Sequence, residues 1–96
     1  MEPMSSLSRE YLYAWVEGAT GTEAVKIAFT QPGVEPTEQD WRPAGWAGVT
    51  PAGADARILV GPGSDVVLAE GTYQMWVSVN APPEGPVLPS GLVVIT

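Results

Sequence analysis

The sequence predicts an all-β domain in which short antiparallel strands form a β-sandwich. Apolar and polar residues alternate along several short stretches, as expected for strands with one buried face. Residues 71 to 80 alternate most regularly, with Tyr73, Met75, Val77 and Val79 on one face. The chain also contains 11 glycines and 10 prolines, which lie between the apolar stretches and mark turns. Many short strands are therefore favoured over helices.

The opposite face of residues 71 to 80 contains an exception to this alternation. Its polar residues, which should meet water, are Thr72, Gln74, Ser78 and Asn80. Trp76 lies among them. Because a large aromatic side chain on an outer face is typical of a binding surface, Trp76 is a candidate contact residue.

The pattern of residues 9 to 18 predicts a first strand that is apolar on both faces. Three aliphatic residues alternate with three aromatic ones: Leu12, Ala14 and Val16 against Tyr11, Tyr13 and Trp15. Arg9 and Glu17 lie on the same side of the strand as the three aromatic residues, and their charges favour water there. We therefore expect the aliphatic residues to point inward and the aromatic residues to point outward.

Four further strands are predicted. Residues 24 to 31 place Val25, Ile27 and Phe29 inward and Lys26 and Thr30 outward. Residues 41 to 46 form a broken or edge strand because they contain Pro43 and Gly45, and we expect Trp41 or Trp46 to fill the core. Residues 56 to 60 form a short strand between Pro/Gly-rich connections, and a stiff loop with four prolines spans residues 81 to 90. Residues 91 to 96 are apolar on both faces, so this strand is expected to be central or covered by a partner.

These elements give about six or seven strands, the number expected for an immunoglobulin-like antiparallel β-sandwich. Leu68, Gly71 and Tyr73 are typical of the corner before the penultimate strand of such domains, where a tyrosine hydroxyl bonds to nearby backbone. A small, partly open barrel is the alternative. At 96 residues the chain is predicted to form one domain over residues 9 to 96, preceded by a flexible arm over residues 1 to 8.

Composition excludes several classes of function. The chain has four basic and eleven acidic residues, a net charge of −7, which disfavours nucleic acid as a partner. It contains no cysteine and no histidine, so the commonest nucleophiles, general bases and zinc ligands are absent. No apolar stretch approaches the roughly 20 residues of a membrane helix, and residues 1 to 8 lack a secretory signal pattern. We expect a complete soluble product that is not an enzyme and carries no cofactor.

One acidic cluster is a candidate cation site. Glu35, Glu38 and Asp40 share a loop, and flexible loops of carboxylates bind calcium. Their spacing matches no recognised calcium loop, so a solvated acidic loop is the favoured interpretation and no metal is expected. Gly61-Pro62-Gly63-Ser64 is interpreted as a turn because no lysine or helix follows it, as a phosphate-binding loop would require.

The outward aromatic residues have three possible interpretations. Tyr11, Tyr13, Trp15 and Trp76 are core residues if the faces are assigned backwards. They form a protein interface if the assignment is right, because tyrosine and tryptophan are enriched at interface cores. They also suit a platform on which sugars stack.

Several features occur in a fixed order along the chain. They are Glu10-Tyr11-Leu12-Tyr13, Ala28-Phe29, Trp41 with Ala44 and Trp46, Leu59-Val60-Gly61-Pro62-Gly63, Gly71-Thr72-Tyr73-Gln74-Met75-Trp76-Val77 and Pro83-Glu84-Gly85-Pro86-Val87. With these features the chain resembles small β-sandwich proteins encoded among the virion structural genes of tailed phages that infect actinobacteria. The resemblance spans residues 10 to 95.

The resemblance implies a non-enzymatic component of a phage particle, assembled in the host cytoplasm. A head decoration subunit, a head-to-tail connector component and a tail component are all compatible with it. Its partners would be other virion proteins and possibly a second copy of itself, through Tyr11, Tyr13, Trp15 and Trp76. The alternative function is a carbohydrate-binding adhesion module that uses the same rings.

Overall fold

A computed structural model describes residues 3 to 96 and contains seven strands. In chain order they are β1 (Glu10–Glu17), β2 (Ala24–Thr30), β3 (Arg42–Pro43), β4 (Gly45–Thr50), β5 (Gly53–Val60), β6 (Gly71–Asn80) and β7 (Val87–Ile95). A single turn of 3-10 helix, Glu38–Asp40, precedes β3. The strands form two antiparallel sheets, a three-stranded sheet of order β1-β5-β4 and a four-stranded sheet of order β3-β2-β6-β7.

This strand order confirms the predicted immunoglobulin-like sandwich. In immunoglobulin domains strands B, E and D share one sheet, and C, F and G share the other. β1, β5 and β4 correspond to the first set, and β2, β6 and β7 to the second, with β3 added beside β2. The barrel alternative is wrong because none of the strands described within residues 3 to 96 belongs to both sheets.

The core lies between the two sheets and contains the inward positions predicted from alternation. Ala14 and Val16 of β1 are buried, as are Met75, Val77 and Val79 of β6. The largest fully buried side chains are Ile27, Val60, Met75, Val77 and Val93. Tyr73 packs against this cluster, and its hydroxyl donates a 2.8 Å hydrogen bond to the carbonyl oxygen of Ala69. The predicted tyrosine corner is therefore present.

Trp46 is the tryptophan of its pair that packs against the core, as predicted for one of the two. Its indole nitrogen donates a 2.7 Å hydrogen bond to the carbonyl oxygen of Glu23. Trp46 lies on β4 and Glu23 immediately precedes β2, so this bond connects the two sheets. Such a bond satisfies the polar edge of a partly buried ring that packs against apolar side chains.

Thr30 is buried, although it belongs to the outward-facing residues of β2. Its hydroxyl donates to the carbonyl oxygen of Val34 at 2.6 Å and accepts a hydrogen bond from the indole nitrogen of Trp76 at 2.9 Å. Thr30 lies on the outer face as predicted, but two internal partners replace water there. Ala28, on the same face, is also fully buried.

The N-terminal residues differ from the predicted flexible arm. Met1 and Glu2 lie outside the described residues, but Met4 is buried and forms a parallel bridge with Ile95 of β7. Backbone hydrogen bonds of 2.7 to 2.9 Å join residues 4 to 6 to residues 94 to 96. The side chain of Met4 joins the core while its backbone pairs with β7, so this segment is part of the sandwich.

The last strand is longer than predicted and lies at an edge. β7 begins at Val87, inside the predicted proline loop, and is the terminal strand of its sheet, so a central position is wrong. Val93 and Ile95 are buried in the core, whereas Leu92 remains 47% exposed on the outer face. β4 and β5 likewise extend into residues 49 to 55, which were predicted as a connection.

Candidate interaction surface

Three aromatic side chains form an exposed row along β1. Tyr11 is 44% exposed, Tyr13 53% and Trp15 49%, while the alternating residues Ala14 and Val16 are buried. The core interpretation is therefore wrong for these three residues, and the inward aliphatic face is confirmed.

Strand β5 adds a cation to this row. Arg57 lies opposite Tyr13 in the β1–β5 register, and its guanidinium carbon is 4.3 Å from the centre of the Tyr11 ring. This distance is within the range of a cation–π interaction. The Tyr11 and Tyr13 rings are 6.4 Å apart and tilted by 47° to each other. We call Tyr11, Tyr13, Trp15 and Arg57 the aromatic face.

Trp15 is positioned by a glycine on the neighbouring strand. A Cβ atom at Gly53 would approach the Trp15 ring to 3.0 Å and would collide with the carbonyl oxygen of Val16. The absence of a side chain at Gly53 therefore lets the indole lie against the backbone of β5. This contact leaves half of the Trp15 side chain available to a partner.

Trp76 belongs to a different surface. It lies on β6, in the four-stranded sheet, and points away from the core, so it is on the opposite side of the sandwich from the aromatic face. Its cross-strand neighbours are Ala28 and Pro89, and its indole N–H is bound to Thr30. The structure therefore brings Tyr11, Tyr13 and Trp15 together but separates Trp76 from them. Trp76 is half-buried and lies outside the core cluster.

An open groove of about 500 Å³ begins at Tyr11 and contains two of the four basic residues, Arg42 and Arg57. Both guanidinium groups have internal contacts, because Arg42 donates to the carbonyl oxygens of Gln39 and Trp41 at 2.7 and 3.1 Å and Arg57 covers Tyr11. The hydroxyl of Ser64 lies 2.7 and 2.8 Å from the carbonyl oxygens of Gly61 and Val66. These contacts stabilise the predicted turn.

The acidic loop has a structural role. The carboxylate of Asp40 accepts hydrogen bonds from the backbone N–H of Thr37 at 2.7 Å and from its hydroxyl at 3.1 Å. These bonds cap the short helical turn that follows Thr37. Within residues 3 to 96, no group of three or more acidic, histidine or cysteine side chains is close enough to hold a metal ion.

Glu23 organises the turn before β2. Its carboxylate accepts hydrogen bonds of 3.0 to 3.2 Å from the N–H groups of Thr20 and Gly21 and from the Thr20 hydroxyl. The backbone N–H groups of Glu23 itself, of Thr20 and of Gly21 stabilise the ionised form and lower the pKa of Glu23 below its usual value. The charge of Glu23 therefore holds this turn, while its carbonyl oxygen holds Trp46.

Comparison with known proteins identifies no family for this chain: no protein-family model, no curated protein and no solved structure matches it. In the part of the chain that the structure describes, no helix is long and apolar enough to cross a membrane.

Arg57 is the component of the aromatic face that sequence reasoning missed. Asp55, Arg57 and Leu59 alternate with the buried residues Ala54, Ala56 and Ile58 along β5. The outward position of Arg57 is already visible in the predicted strand over residues 56 to 60. The pairing of β5 with β1, which brings Arg57 over Tyr11, has no local signal in the sequence.

Proposed function

We propose that this protein is a non-enzymatic structural component of a tailed-phage particle and that its aromatic face binds other virion proteins. A head decoration subunit, a head-to-tail connector component and a tail component all fit this role. The observation that carries the proposal is the row of Tyr11, Tyr13 and Trp15, each roughly half exposed, with Arg57 stacked on the first ring.

The composition of this face favours a protein partner. Tyrosine, tryptophan and arginine are the residues most enriched among those that dominate binding energy at protein interfaces. Arg57 already occupies one side of the Tyr11 ring, and the 47° tilt between Tyr11 and Tyr13 prevents the two rings from forming one flat platform. A continuous sugar-stacking surface is therefore disfavoured.

The second candidate function is a carbohydrate-binding adhesion module. Trp15 favours it, because its ring is 49% exposed and a single indole suffices to stack on one sugar. Titration with host cell-wall polysaccharide, followed by tryptophan fluorescence, tests this candidate. A saturable change that Trp15→Ala abolishes and Trp76→Phe preserves would support sugar binding over the virion proposal.

The proposal is tested on density-purified particles of the phage or prophage that carries the gene. We expect quantitative mass spectrometry to detect the protein in these particles. A variant with Tyr13→Ala and Trp15→Ala should be depleted from them at least tenfold, because interface anchors of this kind each contribute about 2 kcal/mol or more. Val34→Ala is the matched control, since Val34 is 50% exposed on a loop away from the aromatic face.

Complete absence of the wild-type protein from the particles would contradict the virion proposal. Equal incorporation of the double variant and the control would instead remove the aromatic face from the contact. Melting temperatures of both variants serve as the folding control. Val34→Ala should melt close to the wild type. The double variant should melt somewhat lower because Trp15 packs against β5, but it should stay folded at the assembly temperature.

A further inference from the structure

One edge of β1 is open. β1 is the terminal strand of its sheet, and along the described residues only β5 pairs with it. The carbonyl oxygens of Ser8 and Val16 lie against Gly61 and Gly53 of the neighbouring chain segment, and the N–H of Gly18 donates to Ala52 at 2.9 Å. Even-numbered residues therefore direct their backbone groups toward β5.

The odd-numbered residues consequently direct their backbone groups away from β5. Alternate residues of an antiparallel strand pair on opposite sides, so the N–H and C=O groups of Tyr11, Tyr13 and Trp15 face the open edge. These are the residues whose side chains form the exposed row on β1. Free backbone groups and apolar side chains thus coincide on one edge.

The other three sheet edges carry features that block strand addition. β3 has only two residues and contains Pro43, and β4 has a register shift between Ala47 and Thr50. β7 contains Pro89 and a register shift opposite residues 74 to 76, and residues 4 to 6 cover its end. Native proteins protect sheet edges in these ways. β1 pairs with β5 over eight residues in continuous register, without proline.

We propose that the partner of the β1 edge is a second copy of this chain, which pairs antiparallel through its own β1 around a two-fold axis at Tyr13. The inference rests on the proposed structural function, and it names a second copy of the chain as one partner of the surface that carries Tyr11, Tyr13 and Trp15. A two-fold interface uses the same surface on both copies, so each open edge would be satisfied by the other. The two three-stranded sheets would become one six-stranded sheet.

Charge complementarity selects this register. Pairing centred on Tyr13 spans residues 9 to 17 of both copies and places Arg9 of each copy opposite Glu17 of the other. Tyr11 of each copy faces Trp15 of the other on the same surface, where aromatic cross-strand pairs are favourable. Shifting the centre to Leu12 or Ala14 removes both ion pairs. Arg9 and Glu17 are both exposed. The Arg9 guanidinium lies beside Gly63 in the single chain and leaves this position to meet Glu17 across the axis.

The test uses charge reversal and sedimentation velocity of the full chain across a concentration range. Arg9→Glu places two acidic residues opposite each other, and Glu17→Arg places two basic ones. We expect each variant to self-associate about tenfold more weakly than the wild type at low salt. An equimolar mixture of the two variants restores opposite charges at both contacts, so it should form a heterodimer with near wild-type affinity.

Three outcomes would overturn the proposed dimer: a wild-type chain that stays monomeric at every concentration, variants that associate as tightly as the wild type, or a mixture that associates no better than its components. These outcomes are distinguishable from failure of the virion role. The virion role fails if the wild-type protein is missing from purified particles, whatever its association state. If the wild-type chain is monomeric in solution but present in the particles, the dimer is excluded and the virion role stands. The partner of the β1 edge would then be a different virion protein.

Discussion

At the scale of single residues, one hydroxyl group connects the outer face of the four-stranded sheet to the loop that follows β2. Thr30 accepts a hydrogen bond from the indole of Trp76 and donates one to the carbonyl oxygen of Val34. The indole of Trp76 is therefore bound to a residue of its own chain. Replacing Thr30 by valine removes both hydrogen bonds and keeps the shape of the side chain.

Thr30→Val should lower the free energy of unfolding by about 1 to 3 kcal/mol, because the indole N–H and the Val34 carbonyl lose their buried partner. Chemical denaturation measures this loss. Thr72→Val on β6 is the matched control, since Thr72 is exposed and its replacement should change stability by less than about 0.5 kcal/mol. Equal effects of the two substitutions would show that the Thr30 bonds contribute nothing.

Glu23 makes a pH-dependent contribution to stability. Its pKa is lowered in the folded state from the usual 4.5, so its stabilising effect is fully present above that value and is lost as the pH falls through the folded-state pKa. Glu23→Gln should therefore melt at a lower temperature than the wild type at pH 7, and the difference should shrink in acid. Thermal melts from pH 7 to pH 3 test this, with Glu35→Gln in the exposed acidic loop as control. A difference that stays constant with pH would contradict it.

The direction of some side chains could be predicted from the sequence, whereas the burial of others could not. The alternation of Tyr11, Tyr13 and Trp15 with aliphatic residues puts the three rings on one face of the strand, because side-chain direction alternates along a strand. The charges of Arg9 and Glu17 then assigned that face to the outside. The burial of Thr30 was not predictable in this way. It depends on Trp76, which is 46 residues away in the chain and becomes a neighbour only through strand pairing.

At the scale of elements, the backbone N–H and C=O groups of β1 alternate in direction: those of even-numbered residues face β5 and those of odd-numbered residues face the open edge. Proline removes a backbone donor, which is tolerated where that donor faces away from the neighbouring strand. Tyr13→Pro should therefore leave the β1–β5 ladder intact and cost about 1 kcal/mol in unfolding free energy. Ala14→Pro removes a ladder bond beside the core and should cost about 3 kcal/mol or more.

Denaturant unfolding of the two proline variants compares adjacent residues with the same substitution. A reversed order of stability would show that the even-numbered residues face the open edge. The same pair separates folding from association, because Tyr13→Pro should keep the fold and lose any pairing between β1 strands.

The position of a strand within its sheet was harder to predict from the sequence than the existence of the strand. Local alternation and turn residues predicted strands near their observed places. Whether a strand lies at a centre or an edge depends on pairing between distant segments. Residues 91 to 96 are apolar on both faces, which predicts a strand that is either central or covered by a partner. β7 lies at an edge that Met4 and its neighbours partly cover, so only the central position is wrong. A short polar-looking N-terminus gives little local signal for such pairing.

At the scale of the whole molecule, the sandwich separates two apolar surfaces. The aromatic face lies on the three-stranded sheet, and Trp76 lies on the outer side of the four-stranded sheet beside β7. The sequence predicted which residues point outward but not which of them share a side, since that follows from sheet membership. The candidate site consequently loses Trp76 and gains Arg57 from β5.

Residue-resolved amide exchange, measured by NMR on the wild-type chain at low and high protein concentration, tests the open edge of β1 most directly. In dilute solution the amides of Leu12, Ala14 and Val16 should be protected, and those of Tyr11, Tyr13 and Trp15 should exchange rapidly. At high concentration the second set should become protected as β1 pairs with its copy. Rapid exchange of these three amides at every concentration would contradict self-pairing, and protection of them in the dilute monomer would contradict the open edge itself.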